Sequence, residues 1–439
     1  MVMEVIRVRY QGADAGALSF DTTSGLGSFE YDPVFLARGV ELSPLYMPLR
    51  PGVYQFPGLE PGAFKGLPGM LADSLPDDFG NAVLDAWVAR QGKSPVDITP
   101  LQRLQYIGTR GMGALEYAPS TRQRQLNAQQ DIALRELVNI AQEILDERGR
   151  FEAALSDGGA EDRDAMRALL SVGTSAGGAR PKAVLAFDAN FSRVRSGQTT
   201  IPEGFNHYLL KFDGVTEHRT GQETFGDPLG YGVMEYVYYK MATACHIDMM
   251  PCHLLQEGKR RHFLTRRFDR QGNRKIHVQT LNGLAHASYK LVGQYSYEEI
   301  FATLRRLQLD AASAEQLFRR MAFNVIARNH DDHTKNFSFL LDQGKPWALA
   351  PAYDIAYSYK PGSRWINSHA CSINGKRDQF VRADFYALER LSPKFSRRWI
   401  DRIIEEIKSA VAEWPRLARE EDVPAALIAL VQKNLRLDL

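Results

Sequence analysis

The chain has 439 residues, of which 44% are hydrophobic, and this is enough for two or three domains with apolar cores. Its formal net charge is only +2, which gives no reason to expect a nucleic-acid-binding protein. Three cysteines cannot form a disulfide framework, no apolar run is long enough to span a bilayer, and the first ten residues resemble a strand more than a signal peptide, so we expect a soluble cytoplasmic protein.

Residues 1–125 predict a β-rich accessory module. Short apolar runs at residues 5–10, 16–20 and 27–31 are separated by turn residues, which is typical of strands in a small sheet. One helix is expected to begin near Asp77, because acidic residues there precede a helical apolar pattern. None of these residues suggests catalysis, so we expect the module to be an accessory or partner-binding unit.

The rest of the chain changes from strands to helices. Residues 126–268 begin with an amphipathic helix over 133–154 and continue with strand-like runs around a single helix. Residues 269–439 are mostly helical, with helices expected over 313–328 and 396–413. A β-rich block followed by a helical block predicts an α+β fold, namely a two-lobed, protein-kinase-like fold with an additional N-terminal β-rich subdomain and a helical C-lobe.

A glycine-rich stretch over residues 171–182 is the first candidate for binding a nucleotide. Its small residues would let the backbone approach a phosphate, and its turn amides could point at phosphate oxygens. The stretch matches neither a Walker loop nor the G-x-G-x-x-G motif, so a flexible turn is the alternative interpretation.

Lys211 is the second candidate. Along the predicted strand over residues 207–213, Tyr208, Leu210 and Phe212 share an apolar face. Lys211 points the other way, where a phosphate-binding lysine would lie. An ordinary lysine on an edge strand would give the same pattern.

The helix that begins at Gly232 carries a possible partner for that lysine. Glu235 could pair with Lys211, as the αC glutamate pairs with its lysine in protein kinases. Glu223 is the competing partner, and an ordinary exposed helix glutamate is the alternative for Glu235. The next strand, over residues 262–268, falls where an interlobe hinge would contact adenine through its backbone.

The most specific motif is the step from Asp331 to Asn336. Its D-x-x-x-x-N spacing is that of the catalytic loop of phosphotransferases, in which the Asp handles the proton of the acceptor hydroxyl and the Asn ligates a metal on the phosphates. A hairpin is predicted over residues 337–349, and a second carboxylate, Asp354, follows it. A protein kinase supplies its base and its two metal ligands in this order.

These motifs resemble the HipA family, the kinase toxins of bacterial toxin–antitoxin modules. The likeness is carried by residues 175–182, 267–270, 329–336 and 351–354, and with the N-terminal module it covers nearly the whole chain. The resemblance implies a serine/threonine protein kinase that uses ATP and Mg²⁺ and whose targets lie among the aminoacyl-tRNA synthetases. It also implies a helix-turn-helix antitoxin partner that binds operator DNA.

The resemblance gives individual residues their expected roles. Asp331 is expected to be the catalytic base, and Asn336 and Asp354 the metal ligands. Lys335 is expected to approach the γ-phosphate late in the reaction, and His333 to position the loop through backbone hydrogen bonds. The residues expected to bind or position the nucleotide are Gly177, Gly178, Ala179, Arg180, Lys211, Glu235, Arg266, Phe268 and His333.

Ser175 matches the serine of the glycine-rich loop that family members autophosphorylate, and Thr174 is the neighbouring alternative. A phosphate there would add about −1.5 to −2 charges beside the site for the ATP phosphates. Repulsion between this phosphate and the ATP phosphates predicts a switch by which the kinase limits its own activity. The alternative interpretation is that Ser175 only caps a turn.

The chain departs from the family pattern at two places. Residues 277–283 differ from the Gln-Glu-Asp-type segment of better-known members, which leaves the protein substrate open. Arg266 occupies a hinge position that is often acidic in the family, although backbone contacts to adenine should survive that change.

Three other functions fit parts of the sequence. A small-molecule kinase of the aminoglycoside or choline type would share the Asp-x4-Asn loop. A metal hydrolase would use residues 330–333, with His246 and His253 as further ligands. An inactive kinase-fold scaffold would only hold an antitoxin on DNA.

Overall fold

A computed structural model describes residues 4–90, 92–120, 180–216 and 226–439, together with residues 135, 137–139, 141 and 142. Contacts divide the described residues into two compact units. The first unit lies within Met1–Ser43, Met47–Gly232 and His253–Val278, and the second within Pro44–Tyr46, Val233–Cys252 and Gln279–Leu439. The predicted boundary at residue 125 and most of the helix predicted over 133–154 lie outside the described residues, so the three-domain division stays a prediction.

The first unit begins with a five-stranded antiparallel sheet. Its strands are β1 (Glu4–Tyr10), β2 (Ala13–Asp21), β3 (Leu26–Tyr31), β4 (Val53–Tyr54) and β5 (Leu115–Ala118). Their order in the sheet is β4-β3-β2-β1-β5. The first three strands confirm the apolar runs read from the sequence. A tight turn joins β1 to β2 at Gln11 and Gly12, which both have positive φ.

Five helices accompany this sheet among the described residues, where the sequence predicted one. They are α1 (Pro33–Leu36), α2 (Pro61–Phe64), α3 (Gly69–Ala72), α4 (Asp78–Arg90) and α5 (Pro100–Ile107), with a 3₁₀ turn at Pro95–Asp97. α4 confirms the predicted helix. The first three span four residues each, which is too short for an apolar period to be recognised. α5 does carry a readable signal, because Thr99 and Gln102 form a capping box at its start.

A second five-stranded sheet completes the first unit. Its strands are β6 (Lys182–Asp188), β7 (Val194–Ser196), β8 (Phe205–Lys211), β11 (Cys252–Glu257) and β12 (Arg260–Arg266). Two separate antiparallel pairs are formed by β9 (Val215–Thr216) with β10 (Gly226–Asp227) and by β13 (Arg270–Gln271) with β14 (Arg274–Lys275). The strand order is β11-β12-β8-β6-β7. Leu185, Leu210 and Leu264 share one buried cluster with Val83 and Trp87 of α4. Helix α4 therefore closes the apolar face of this sheet.

The second half of the chain is mainly helical, as predicted. Its helices are α6 (Tyr231–Ala244), α7 (Leu281–Ala285), α8 (Tyr297–Arg306), α9 (Ala311–Ile326), α10 (Arg382–Tyr386), α11 (Arg397–Ala412), α12 (Trp414–Glu420) and α13 (Ala425–Asn434), with 3₁₀ turns at Thr334–Asn336 and Glu389–Leu391. Its strands are β15 (His277–Thr280), β16 (Tyr295–Ser296), β17 (Ser338–Leu341), β18 (Trp347–Leu349) and β19 (Cys371–Ser372).

Helices α9 and α11 confirm the two predicted helices of this half, and they pack with the rings of Phe318 and Trp399 5.0 Å apart. Strands β17 and β18 pair antiparallel and confirm the predicted hairpin. α9 starts at Ala311 because Asp310 caps it by accepting a hydrogen bond from Ser313 N. Among the described residues no helix has the length and apolar character needed to cross a membrane.

Candidate active site

The loop between α9 and β17 is held by backbone hydrogen bonds to a distant segment. After α9 the chain leaves helical geometry at Arg328, whose φ is +58°. His330 N then donates to Ser358 O at 3.1 Å, and Ser358 N donates to Arg328 O at 3.0 Å. Asn329 N donates back to Asn324 O in α9 at 2.9 Å. The loop is therefore fixed at its entry before the two aspartates are reached.

The two adjacent aspartates of this loop have opposite environments. The Asp331 side chain is 44% exposed, and its Oδ1 lies 3.6 Å from His333 Nε2. Asp332 is only 1% exposed. A carboxylate that must meet an acceptor has to be accessible, so the exposure of Asp331 is compatible with the base role expected for it, which stays a prediction.

Asp332 instead holds the loop to the segment that leads into β19. Its Oδ2 accepts hydrogen bonds from Tyr297 OH and from His369 Nδ1, both at 2.8 Å. Its Oδ1 accepts from Ala370 N at 2.7 Å and more weakly from Cys371 N at 3.4 Å. Burial alone would raise the pKa of Asp332, but the charge of His369 and these hydrogen bonds outweigh it and lower the pKa. Sequence reasoning missed this carboxylate and its partners.

Asn336 closes the catalytic loop on itself. Its Nδ2 donates to the carbonyl oxygen of Asp331 at 2.7 Å, and its backbone N donates to His333 O at 2.9 Å. Thr334 Oγ1 anchors the same turn to Ala287 O at 2.6 Å. Since the amide nitrogen of Asn336 is used within the loop, its amide oxygen is the atom suited to ligate a metal. The spacing of five residues thus has a structural cause.

Asp354 reaches the same cleft as Asn336. Its backbone is in the left-handed region with φ +53°, which is uncommon for a residue other than glycine, and its carbonyl oxygen accepts a 3.3 Å hydrogen bond from Asn329 Nδ2. Strained backbone of this kind concentrates at functional sites. The two side chains line one small cleft. It is lined by Arg320, Asn324, Asn329, Asp332, Asn336, Phe337, Ala352, Tyr353, Asp354 and Ile355.

The donors in this cleft fit Mg²⁺. Mg²⁺ prefers oxygen ligands and is usually held by one or two carboxylates together with water and the substrate phosphates. Asp354 offers a carboxylate, and Asn336 offers an amide oxygen. Within the described ranges no group of three or more His, Cys, Asp or Glu could hold a metal, so the metal-hydrolase alternative finds no support there.

Lys335 and His333 of the catalytic loop lie around one aromatic ring. Lys335 Nζ is 4.6 Å from the centre of the Tyr289 ring, and the rings of Tyr289 and His333 are 5.6 Å apart. Tyr353 OH donates to Lys335 O at 2.6 Å and so fixes the backbone there. The backbone carbonyl oxygen of His333 accepts the bond from Asn336 N, and the loop-positioning role of His333 stays a prediction.

Lys211 lies on a central strand of the second sheet of the first unit, so the edge-strand alternative is wrong. It is 5% exposed, and its Nζ lies 5.7 Å from the centre of the Phe263 ring. Its direct cross-strand neighbour on β6 is Lys182, whose Nζ lies 3.3 Å from Asp77 Oδ2. Side chains at directly paired positions share a face of the sheet. Lys211 and Lys182 therefore lie on the face opposite Leu185 and Leu210, which pack against α4.

The other residues expected to bind nucleotide have mixed outcomes. Glu235 is 3% exposed, so an ordinary exposed helix glutamate is excluded, while its pairing with Lys211 stays a prediction. Arg266 ends β12 and donates through Nη2 to Asn206 Oδ1 at 2.8 Å. Arg180 and Phe268 are described and partly exposed. Thr174, Ser175, Gly177, Gly178, Ala179 and Glu223 lie outside the described residues.

The residues around the expected hinge form a buried ion network that the sequence did not reveal. Asp269 accepts from Arg267 through both carboxylate oxygens at 2.8 and 2.6 Å, and its Oδ2 accepts from Arg270 at 2.7 Å. Gly113 N donates to Asp269 Oδ2 at 2.8 Å, and Arg270 also donates to Gly111 O at 2.8 Å. Burial would raise the pKa of Asp269, but the two guanidinium groups keep it low.

Two family models match the chain. The model described as the HipA-like C-terminal domain matches residues 174–414, which is more than half of the chain. The model described as the HipA N-terminal domain matches residues 6–118. Both agree with the motifs on which the family resemblance was based.

Known proteins share parts or all of this architecture. "Putative kinase" of Haemophilus influenzae is 33% identical over 122 residues, 26% of this chain and 35% of that protein. "Putative kinase Y4mE" of Sinorhizobium fredii is 27% identical over 192 residues, 41% of each chain. The chain thus spans less than half of the length of these curated relatives.

The structure of Shewanella oneidensis HipA in a toxin–antitoxin complex with HipB and operator DNA has a TM-score of 0.66 at 17% identity, over 98% of this chain and 95% of that one. At this identity the likeness shows the fold, and it confirms the kinase-like α+β architecture.

Proposed function

The chain belongs to the HipA family, and we propose that it is an ATP- and Mg²⁺-dependent serine/threonine protein kinase of the toxin type. The observation that carries this proposal is the catalytic loop. Asp331 has an accessible carboxylate, and its backbone carbonyl oxygen accepts a hydrogen bond from Nδ2 of Asn336, which shares a cleft with Asp354. This is the arrangement that phosphoryl transfer to a hydroxyl requires.

The chain's own residues would act mainly by alignment and by charge neutralisation, because phosphoryl transfer has a loose transition state. Asp331 would orient a Ser or Thr hydroxyl and accept its proton while the hydroxyl oxygen bonds to the γ-phosphorus and ADP leaves. Asn336 and Asp354 would hold Mg²⁺, which when bound offsets the negative charge of the phosphate oxygens. Lys335 would approach the γ-phosphate late, and Lys211 would neutralise the α/β-phosphates.

The partners of the reaction follow from the family. We expect the acceptor to be a protein of the translation machinery, such as an aminoacyl-tRNA synthetase. We also expect a helix-turn-helix antitoxin through which the protein is held on operator DNA, supported by the Shewanella complex of HipA with HipB and DNA.

Transfer of radiolabelled γ-phosphate from ATP to serine or threonine tests the function, with Lys211→Met as the variant. We expect Lys211→Met to lower the transfer rate by about 10²–10³-fold, the usual cost of losing one positioned electrostatic group. The melting temperature is measured together with the rate, and rates are compared for folded protein, because loss of a buried charge also changes stability. The control is Lys259→Met, an exposed lysine at the turn between β11 and β12 of the same sheet. Equal phosphate-transfer rates for Lys211→Met and wild type would show that Lys211 does not bind the nucleotide phosphates.

The two rival functions give different results in the same assay. A small-molecule kinase would label an aminoglycoside or choline and leave proteins unlabelled. An inactive scaffold would turn over no ATP, and its expression would not arrest growth. Arrest by the wild type, together with normal growth of cells that express Lys211→Met, supports the kinase toxin.

Autophosphorylation at Ser175 or Thr174 is the second part of the proposal. We expect protein purified from cells to carry phosphate on the tryptic peptide over residues 168–182, which runs to Lys182 because Pro181 blocks cleavage after Arg180. The Asp331→Asn variant should lack it, since the base is missing. Mass spectrometry of the two proteins decides the point. Active wild-type enzyme without phosphate on either Ser175 or Thr174 would contradict the proposed autophosphorylation.

A further inference from the structure

Two ammonium groups and a guanidinium converge on two aromatic rings next to the catalytic loop. Lys335 Nζ and Lys290 Nζ lie 4.6 and 4.8 Å from the centre of the Tyr289 ring. Lys290 Nζ also lies 5.8 Å from the centre of the Trp365 ring, and the guanidinium carbon of Arg364 lies 4.9 Å from it. None of the five residues is buried. We call Tyr289, Lys290, Lys335, Arg364 and Trp365 the basic-aromatic surface.

The basic-aromatic surface is continuous with the carboxylate expected to receive the acceptor hydroxyl. The Tyr289 ring lies 5.6 Å from the His333 ring, and His333 Nε2 lies 3.6 Å from Asp331 Oδ1. A chain bound at Asp331 through a Ser or Thr would therefore extend over this surface. All of these residues belong to the second unit.

The two segments that supply four of the five residues of the surface contain no acidic residue. Asp and Glu make up 52 of the 439 residues, yet none occurs in residues 283–297 or 355–377, the two segments that supply Tyr289, Lys290, Arg364 and Trp365. Lys376, in the second segment, is 3.0 Å from Asp384 and is neutralised there. Asp331 is the carboxylate that faces the surface from the catalytic loop.

The two acid-free segments are held firmly in place. Strands β16 and β19 pair in parallel and join the segments directly. Gly293 N donates to Ala370 O at 2.9 Å, and Ala370 N donates to Asp332 Oδ1 at 2.7 Å. Thr334 Oγ1 bonds to Ala287 O at 2.6 Å. A preorganised surface binds a flexible peptide with a smaller loss of entropy than a mobile one.

We propose that the basic-aromatic surface recognises an acidic peptide segment flanking the Ser or Thr that this protein phosphorylates. Lys290 and Arg364 would pair with its carboxylates, and the aromatic rings would cover its backbone. Asp331 repels negative charge at the acceptor itself, so the acidic residues should lie about three or more positions from the acceptor, at roughly 3.3 Å per extended residue. The inference rests on the proposed kinase function for the identity of the acceptor.

A peptide fits this surface better than a nucleic acid does. Proteins that bind nucleic acid electrostatically commonly contact about 6–10 phosphates, whereas this surface has three Lys and Arg side chains. The surface also ends at the carboxylate Asp331, which a polyphosphate chain would avoid.

The test compares three fluorescent Ser peptides of equal length with Glu, Gln or Lys in the flanks. Wild type should bind the Glu peptide about 10-fold more tightly than the Gln peptide in anisotropy titrations. This ratio of affinities should decrease as the salt concentration is raised. The doubly reversed variant Lys290→Glu with Arg364→Glu should lose this preference, since neither residue belongs to the catalytic machinery. The control is Lys259→Glu with Arg402→Glu, which changes the net charge equally at exposed sites elsewhere.

Two readouts separate failure of this inference from failure of the proposed function. Binding is measured without catalysis, and phosphate transfer to the same peptides is measured in parallel. Equal binding of the three peptides by wild type, or an unchanged preference in the reversed variant, would overturn the inference even if phosphate is transferred. Absence of phosphate transfer to any protein or peptide would instead contradict the proposed kinase function. Tighter, Lys290- and Arg364-dependent binding of a single-stranded RNA oligonucleotide than of the Glu peptide would make this surface a nucleic-acid site and would also overturn the inference.

Discussion

Replacing Asp331 by Asn should lower the rate of phosphate transfer by about 10²–10⁴-fold, the usual contribution of a general base. The amide has nearly the same shape and cannot accept the proton of the acceptor hydroxyl. ATP affinity and the melting temperature should stay close to those of the wild type, because the Asp331 side chain is exposed and Asn336 bonds to its backbone rather than to its carboxylate. Single-turnover transfer assays and a nucleotide titration measure the two quantities separately.

The matched control for this change is Asp342→Asn. Asp342 lies in the β17–β18 turn and keeps its hydrogen bond to Gln343 N as an amide. It should transfer phosphate at the wild-type rate. Normal transfer by Asp331→Asn would show that this carboxylate is not the base.

Replacing Asp332 by Ala should destabilise the protein by about 3–5 kcal/mol, the cost of removing one partner of a buried charge pair. The change leaves Tyr297 OH, His369 and Ala370 N without their acceptor in a buried site. Urea unfolding followed by intrinsic fluorescence measures the loss. Asp332→Asn should recover part of it, because the amide oxygen can still accept one or two of these hydrogen bonds.

The neighbouring Asp331→Ala variant is the comparison for stability. An exposed side chain away from such a network usually changes stability very little. The pair of variants should therefore separate activity from stability at two consecutive positions. An Asp332→Ala protein within 1 kcal/mol of wild type would contradict the anchoring role of this carboxylate.

The sequence identified Asp331 and Asn336 because their relation is local. Five residues of loop bring the Asn amide to the Asp carbonyl, and such spacing is readable without knowing the rest of the fold. It could not distinguish Asp332 as an anchor, since its partners Tyr297 and His369 lie 35 and 37 residues away. Two consecutive aspartates look alike until their neighbours are known.

The same limit applies to the first unit. The alternation around Lys211 correctly placed it off the apolar face, but strand order depends on pairing between distant segments, so a central strand could not be told from an edge strand. The sequence predicted a hinge strand over residues 262–268 and used residues 267–270 only as a motif of the family. Their ion network with residues 111–113 is non-local and was invisible.

That network bears on how such genes can change over generations. Gly113 belongs to the stretch matched by one family model, and Asp269 and Arg270 belong to the stretch matched by the other. The two stretches are joined by the buried hydrogen bonds of Asp269 and Arg270 to residues 111–113. If relatives exchange the first 118 residues, the incoming loop over residues 111–113 has to fit Asp269 and Arg270 of the recipient. We therefore expect the regions that encode the two stretches to be inherited together during recombination.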